Sequence, residues 1–358
     1  MLLGPQSSRT NCLPKLASRS TSSENGHVHL LNDAARGIRG ERVPVWFMRQ
    51  AGRSLPEYRK LRENTNMLDA CLTPELAAEI TMQPVRRHGV DGAVFFSDIV
   101  IPLKIAGIDV DIKPGVGPVF GRPVQSAADI TELTSHTLED SPEIREAIGI
   151  CVQELDVPVL GFGGAPFTLA AYMVEGRPSR DHLGARALMH ADPASWDRLM
   201  TWAADITGRF LEIQIEAGAS VVQLFDSWAG SLSVADYESK VLPYSKLALE
   251  RATVPTIHFG TGTSLFLEQM ASCADVLGVD YRMPLDEVAR RVPGKPLQGN
   301  IDPALLAAPW SVLEEHIDAV LAAGRAAPSH ILNLGHGVPP TTDPDVLTRI
   351  VSYVKQTL

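Results

Sequence analysis

Cysteine is scarce in this chain, with four among 358 residues. Cys12, Cys71, Cys151 and Cys273 lie far apart, form no C-x-x-C, and have no histidine at metal-ligand spacing. That pattern speaks against a disulfide framework or a structural zinc, and it fits free thiols in a reducing compartment. Net positive charge is missing too. The formal charge is -10, which argues against nucleic acid as a general partner. No apolar run approaches the ~20 residues of a membrane-spanning helix. There is no Walker A lysine for a nucleotide phosphate. The run GFGGAPFTLAAYMVEG at 161–176 departs from the dinucleotide pattern G-x-G-x-x-G with its following acid.

What the chain does have is a concentrated basic stretch. Residues 45–62 read VWFMRQAGRSLPEYRKLR, placing Arg49, Arg53, Arg59, Lys60 and Arg62 within fourteen residues against the single acid Glu57. Arg49 leaves an apolar run and Arg53 follows a glycine, so both read as fixed in a turn. Arginine there suits a site that receives carboxylates or phosphates, which its planar fork pairs bidentately. Arg59, Lys60 and Arg62 read equally well as a solvated helix face.

Residues 1–26 are serine-rich and basic, with no acid before Glu24. They lack the apolar core of a secretory signal, and their composition fits either a transit peptide or a disordered extension. The reading taken is a disordered extension over 1–28, followed by one domain over 29–358. Within that domain short apolar runs alternate with amphipathic stretches. Strands are expected at 43–48, 93–96, 157–162, 220–225, 255–259, 275–279, 296–298 and 330–334. Helices are expected at 74–88 (with Thr73 as N-cap), 193–217, 234–251, 264–271, 285–291, 309–323 and 344–357. About eight such units fit an α/β fold of the single (β/α)8 TIM-type barrel class, with a doubly wound sheet as the alternative. The Gly- and Pro-rich segment 109–123 reads as a long loop.

In a barrel of this kind the chemistry sits just past the C-terminal ends of the strands. The polar residues at those positions are Arg49, Asp98, Asp226, Ser227, His258, Asp280 and His336. Asp98, flanked by Ile99 and Val100, is either an N-cap or an anion that accepts ligand N–H groups and stabilises a cation. His336 lies between two glycines in LGHGVPP, where a ring can come close to a ligand. Ser227 has no G-x-S-x-G elbow and suits a hydrogen bond to a carboxylate better than nucleophilic attack. Asp226 and His258 read as structural.

Five ordered motifs resemble one family. They are PVWFMRQAGRSLPEYR at 44–59, FSDI at 96–99, GAPFTLAAYMVEG at 164–176, FDSWAG at 225–230 and NLGHG at 333–337. Together they are similar to uroporphyrinogen decarboxylase, an enzyme of haem biosynthesis. The resemblance runs from about Val43 to the end of the chain. It implies a cytoplasmic homodimer of (β/α)8 barrels with no cofactor or metal, removing the four acetate carboxyls of uroporphyrinogen III. It also implies that Arg49 and Arg53 bind substrate carboxylates, and that Asp98 holds the pyrrole N–H groups. Tyr172, Ser227 and His336 would contact the acetate and propionate arms, with Gln50 and Arg62 in matching positions. Arg49, Asp98 and Tyr172 are the catalytic candidates. Many members have tyrosine where this chain has Ser54.

Two other functions stay open on the sequence. A zinc-dependent corrinoid or thiol methyltransferase of the same superfamily would need an H-x-C pair, where this chain has His258-Phe259-Gly260. A non-catalytic tetrapyrrole carrier would bind without releasing carbon dioxide.

Overall fold

The structure is a computed structural model that describes residues 29–52 and 54–357; the expected extension over 1–28 and Arg53 lie outside the described residues. Nine strands occur among the described residues. They are β1 Ala93–Val94, β2 Val110–Lys113, β3 Gly117–Phe120, β4 Val159–Gly164 and β5 Val221–Asp226. After them come β6 Thr256–Gly260, β7 Val276–Gly278, β8 Leu297–Gln298 and β9 His330–Ile331. Seven form one sheet in the order β1-β4-β5-β6-β7-β8-β9, and every neighbouring pair is parallel.

A buried polar chain shows that this sheet is curled. Gln298 Nε2 donates to Gln223 Oε1 at 2.8 Å, and Trp46 Nε1 donates to Gln298 Oε1 at 3.1 Å. Gln223 is on β5 and Gln298 on β8, three places along. At the usual strand spacing a flat sheet would hold them about 14 Å apart. Gln223 Nε2 also reaches Met48 Sδ at 3.4 Å. Each buried amide in this chain therefore has a partner, as an apolar interior requires. Nearby on the same concave face, the Phe225 ring stands edge-on to Phe162 (5.4 Å) and Phe259 (6.0 Å).

Between the two edges of the sheet lies the segment expected as the first strand. Trp46 N–H donates to Leu332 O at 3.3 Å and Leu332 N–H to Pro44 O at 2.9 Å, beside β9. On the other side, Asp91 N–H donates to Val45 O at 2.8 Å, just before β1. Only the Val45–Leu332 pair forms a ladder bridge, so 43–48 is not a regular strand. The reason is local. Pro44 has no N–H to give, and the Asp91 carboxylate takes the Val45 N–H at 2.9 Å.

Helices cover the convex face. The longest, Pro193–Glu216, opens on Asp192, whose side chain accepts the Ser195 N–H at 3.1 Å, and is followed by Gly218 with φ +116°. Under it Leu211, Val222, Leu224 and Leu249 pack with Ala165. The 74–88 helix has its expected bounds, Pro74–His88, but Thr73 does not cap it with its side chain. Its hydroxyl donates instead to Asp69 O at 2.8 Å, ending the preceding helix. The expected 234–251 helix is two, Val234–Lys240 and Leu242–Leu249. Pro243 has no N–H to continue the ladder, and the break falls just before it at Val241, which leaves helical geometry with φ -130°. The segment 109–123 is not a plain loop. It holds the antiparallel hairpin β2–β3, whose turn uses positive φ at Gly115 and Gly117. Phe120 N–H donates to Gly176 O at 2.9 Å, tying that hairpin to the end of the Pro166–Glu175 helix.

Candidate active site

Arg49 leaves the segment beside β9 in the left-handed region, with φ +62°, which non-glycine residues seldom adopt. Its buried neighbours hold that turn. The Gln50 side chain accepts the Phe47 N–H at 2.9 Å and donates to Gly92 O at 2.8 Å. Met48 N–H donates to Asn333 Oδ1 at 3.0 Å, and Val338 N–H to Met48 O at 2.9 Å. The Arg49 side chain therefore leaves the core exposed, passing across Gly337. A Cβ on Gly337 would stand 2.5 Å from Arg49 Cδ and 2.8 Å from Cγ.

Asp98 follows the short strand β1. Its Oδ1 accepts the Val100 N–H at 3.1 Å, turning the chain towards the Ile101–Ile105 helix, so it shapes the turn without being that helix's N-cap. The residue is half-buried. That burial raises its pKa against the opposing pull of the Val100 N–H and the Arg49 charge.

Tyr172 stands on the Pro166–Glu175 helix after β4. Burial pushes its hydroxyl up to about 12, with Asp98 adding to the rise and Arg49 opposing it, so it stays a protonated donor at neutral pH. Its ring stacks on Trp228 at 3.8 Å, and Trp228 meets His182 at 4.3 Å. His182 Nδ1 lies 3.0 Å from Ser231 Oγ, which fixes the far end of this stack.

Ser227 is the residue after β5, next to Trp228, and its carbonyl accepts the Thr261 hydroxyl at 2.6 Å. His336 is exposed on the turn after β9. Its Nδ1 accepts the Gly337 N–H at 2.8 Å, which makes Nε2 the donor in the neutral ring. Partial desolvation at this turn, together with the charges of Arg49 and Arg282, lowers its pKa.

The structure thus brings Asp98, Tyr172 and His336 each within electrostatic reach of Arg49, and Asp98 within reach of Tyr172, with Ser227 adjoining Tyr172 through Trp228. The sequence motifs alone did not single out Trp228, His182 or Arg282. Arg282 was within reach of the strand-end rule, two residues past Asp280. Gln50 is not on the surface of this mouth, because it is fully buried and its amide is spent on backbone groups. Arg62 is turned inward too, donating to Thr65 O at 3.1 Å, whereas Arg59 and Lys60 are exposed.

Asp226 and His258 face the helices, opposite to Phe225, and both are fully buried. Asp226 Oδ1 accepts the Thr168 hydroxyl at 3.0 Å, and His258 Nδ1 lies 3.0 Å from Cys273 Sγ. Two surface cavities, of about 410 and 430 Å³, adjoin the opposite, N-terminal ends of the strands and touch none of the candidate residues. Among the described residues no three His, Cys, Asp or Glu side chains are grouped to hold a metal ion.

The curled parallel sheet, with an arginine, a half-buried carboxyl and a tyrosine hydroxyl at its C-terminal rim, defines a TIM-barrel-like α/β enzyme fold. The chain matches the family model described as Uroporphyrinogen decarboxylase (URO-D) over residues 28–357, and it belongs to that family. A uroporphyrinogen decarboxylase of Arthrobacter sp. (strain FB24) is 63% identical over 90% of this chain and 95% of its own length. One from Streptomyces griseus is 57% identical over 92% of this chain and 93% of its own. Among solved structures, a methyltransferase from Methanosarcina mazei superposes with a TM-score of 0.76 at 18% identity, over 91% of this chain and 97% of that one. At that identity the likeness shows the fold alone.

Proposed function

We propose that this chain is a carboxy-lyase that removes the four acetate carboxyls of uroporphyrinogen III, giving coproporphyrinogen III and carbon dioxide in haem biosynthesis. The observation that carries the reading is Asp98, a half-buried carboxyl after β1 that lies within electrostatic reach of both Arg49 and Tyr172. Family membership and the close decarboxylase relatives support it, and they do not favour a methyltransferase.

The chemistry follows from the substrate. Loss of carbon dioxide from a pyrrole acetate leaves a carbanion unless the ring first accepts a proton. Protonation makes the ring a cationic electron sink, and the C–C electron pair then flows into it as carbon dioxide leaves. Asp98 is held in a setting that disfavours its charge. Pyrrole N–H groups, and more so the ring cation, relieve that disfavour. The carboxylate therefore stabilises the intermediate more than the ground state. A second protonation, at the new exocyclic methylene, makes the methyl group, and loss of the first proton from the ring restores the neutral pyrrole. Arginine is a poor general acid because its pKa exceeds ~12. Arg49 accordingly orients the leaving carboxylate and orders the water that relays protons. Tyr172 donates its hydroxyl to a substrate carboxylate, and Ser227, His336 and Arg53 bind the remaining arms.

In this reading residues 44–48 act as the eighth stave of a closed (β/α)8 barrel, supported by their hydrogen bonds to both sheet edges. The enzyme works as a homodimer in the cytoplasm. No helix of the described residues is long and apolar enough to cross a membrane. An anaerobic assay with uroporphyrinogen III tests the whole. Stepwise loss of four carboxyls is expected. Binding without release of carbon dioxide would make the protein a carrier, and stoichiometric zinc would reopen the methyltransferase.

A further inference from the structure

The turn after β7 carries a guanidinium that no motif assigns. Asp280, only 5% exposed, anchors it. Its Oδ1 accepts the Arg282 N–H at 3.0 Å, and its Oδ2 accepts both Arg282 Nη1 and the Gly262 N–H. The guanidinium lies over the Tyr281 ring, 4.6 Å from its centroid. An arginine fixed by a carboxylate on one side and an aromatic face on another has already lost most of its rotamer freedom. Yet 48% of the Arg282 side chain remains accessible, against 5% for that of Asp280. Among the described residues its Nε and Nη2 have no hydrogen-bond partner, so a held cation presents open donors to solvent.

Its place relative to Arg49 is set by two glycines. A Cβ on Gly335 would stand 2.2 Å from Tyr281 N, and one on Gly337 would stand 2.5 Å from Arg49 Cδ. The turn bearing His336 is therefore wedged between the two arginine-bearing turns. A buried anchor with an exposed head thus shares the rim with Arg49 and His336.

We propose that Arg282 is a further substrate-binding arm of the mouth, pairing with a peripheral carboxylate of the substrate on the far side of His336 from Arg49, with Asp280 as its positioning residue. The inference rests on the decarboxylase reading. In a chain of net charge -10, an octacarboxylate must be received by local cations, and a second fork across the rim holds a wide disc at two points. A charge-assisted bond of this kind is worth ~10- to 100-fold in affinity.

The test is steady-state kinetics with uroporphyrinogen on wild type, Arg282→Met, Arg282→Gln and Arg282→Lys, each with a thermal melt. KM is expected to rise about tenfold or more in the Met and Gln variants, with a smaller change in kcat and a weaker dependence of kcat/KM on salt. Lysine should restore part of the loss. Asp280→Asn should raise KM only when Arg282 is present. A purely structural pair would lower the melting temperature and leave KM and the salt dependence unchanged, which overturns the inference. Failure of the wild type to decarboxylate would overturn the function itself, a separate outcome.

Discussion

Arg49 and Gly337 occupy complementary space: the arginine stem runs where a side chain on residue 337 would begin, 2.5 Å from Cδ. Gly337 has no left-handed φ, so this position needs glycine for room and not for backbone freedom. Gly337→Ala should therefore displace Arg49 while sparing the fold. A fall in kcat/KM of about 10- to 100-fold is expected, since ~1 Å of misplacement costs that much. The melting temperature should stay within a few degrees. Normal kinetics in a folded Ala variant would show that Arg49 has no set position.

Asp98 is expected to trade stability for function. Its folded pKa is raised above the ordinary 3.8, so the folded state binds its proton more tightly than the unfolded chain does. Stability from this group is fully present below the unfolded value and is lost as pH rises through the folded one. Asp98→Asn keeps an oxygen for the Val100 N–H and removes the charge. Turnover should drop by about 10²-fold or more, while the melting temperature at neutral pH rises. Below the ordinary carboxylate range the two proteins should melt alike. A variant less stable than wild type at pH 7 would refute this account.

His258 follows the same linkage in a higher pH window, but here the charged form is the stabilised one. Burial pulls its pKa down most strongly, but Cys273 and Asp226 outweigh it and hold the ring up at about 10. The stabilisation is then complete below 6.5, the unfolded value, and fades as pH rises through 10. Breaking this fully buried group away from its partners costs about 3–5 kcal/mol. Melting curves of His258→Gln should lie far below wild type at pH 6 and draw closer above pH 10. A gap that ignores pH would mean the ring is neutral.

Gln50 separates a positioning role from a binding one. Gln50→Leu leaves the Phe47 N–H and the Gly92 carbonyl buried without partners, each costing about 1–3 kcal/mol. Urea unfolding should record that loss. Weaker substrate binding at unchanged stability would instead put the amide on the substrate.

Much of this was legible in the sequence because parallel strands buried on both faces read as plain apolar runs. The runs at 157–162, 220–225 and 255–259 became β4, β5 and β6 with ends moved by one or two residues. Asp98, Ser227 and His336 were found by a positional rule, and the rule works because strand ends converge on one rim. The first run failed as a regular strand because Asp91 and Pro44 take its ladder positions, and neither competitor is visible as periodicity. The hairpin at 110–120 was hidden by its glycines and prolines. The Tyr172–Trp228–His182 stack joins three elements distant in sequence, so no local pattern announces it. The same holds for Arg282, whose meaning depends on which turn lies beside it.

The chain of amides from Trp46 through Gln298 to Gln223 also sets a depth. With Met48 beside Gln223, it fills the hollow of the curled sheet with side chains. On the decarboxylase reading the substrate is therefore received beyond that hollow, at the strand ends where Arg49 and Asp98 stand, and not inside the sheet.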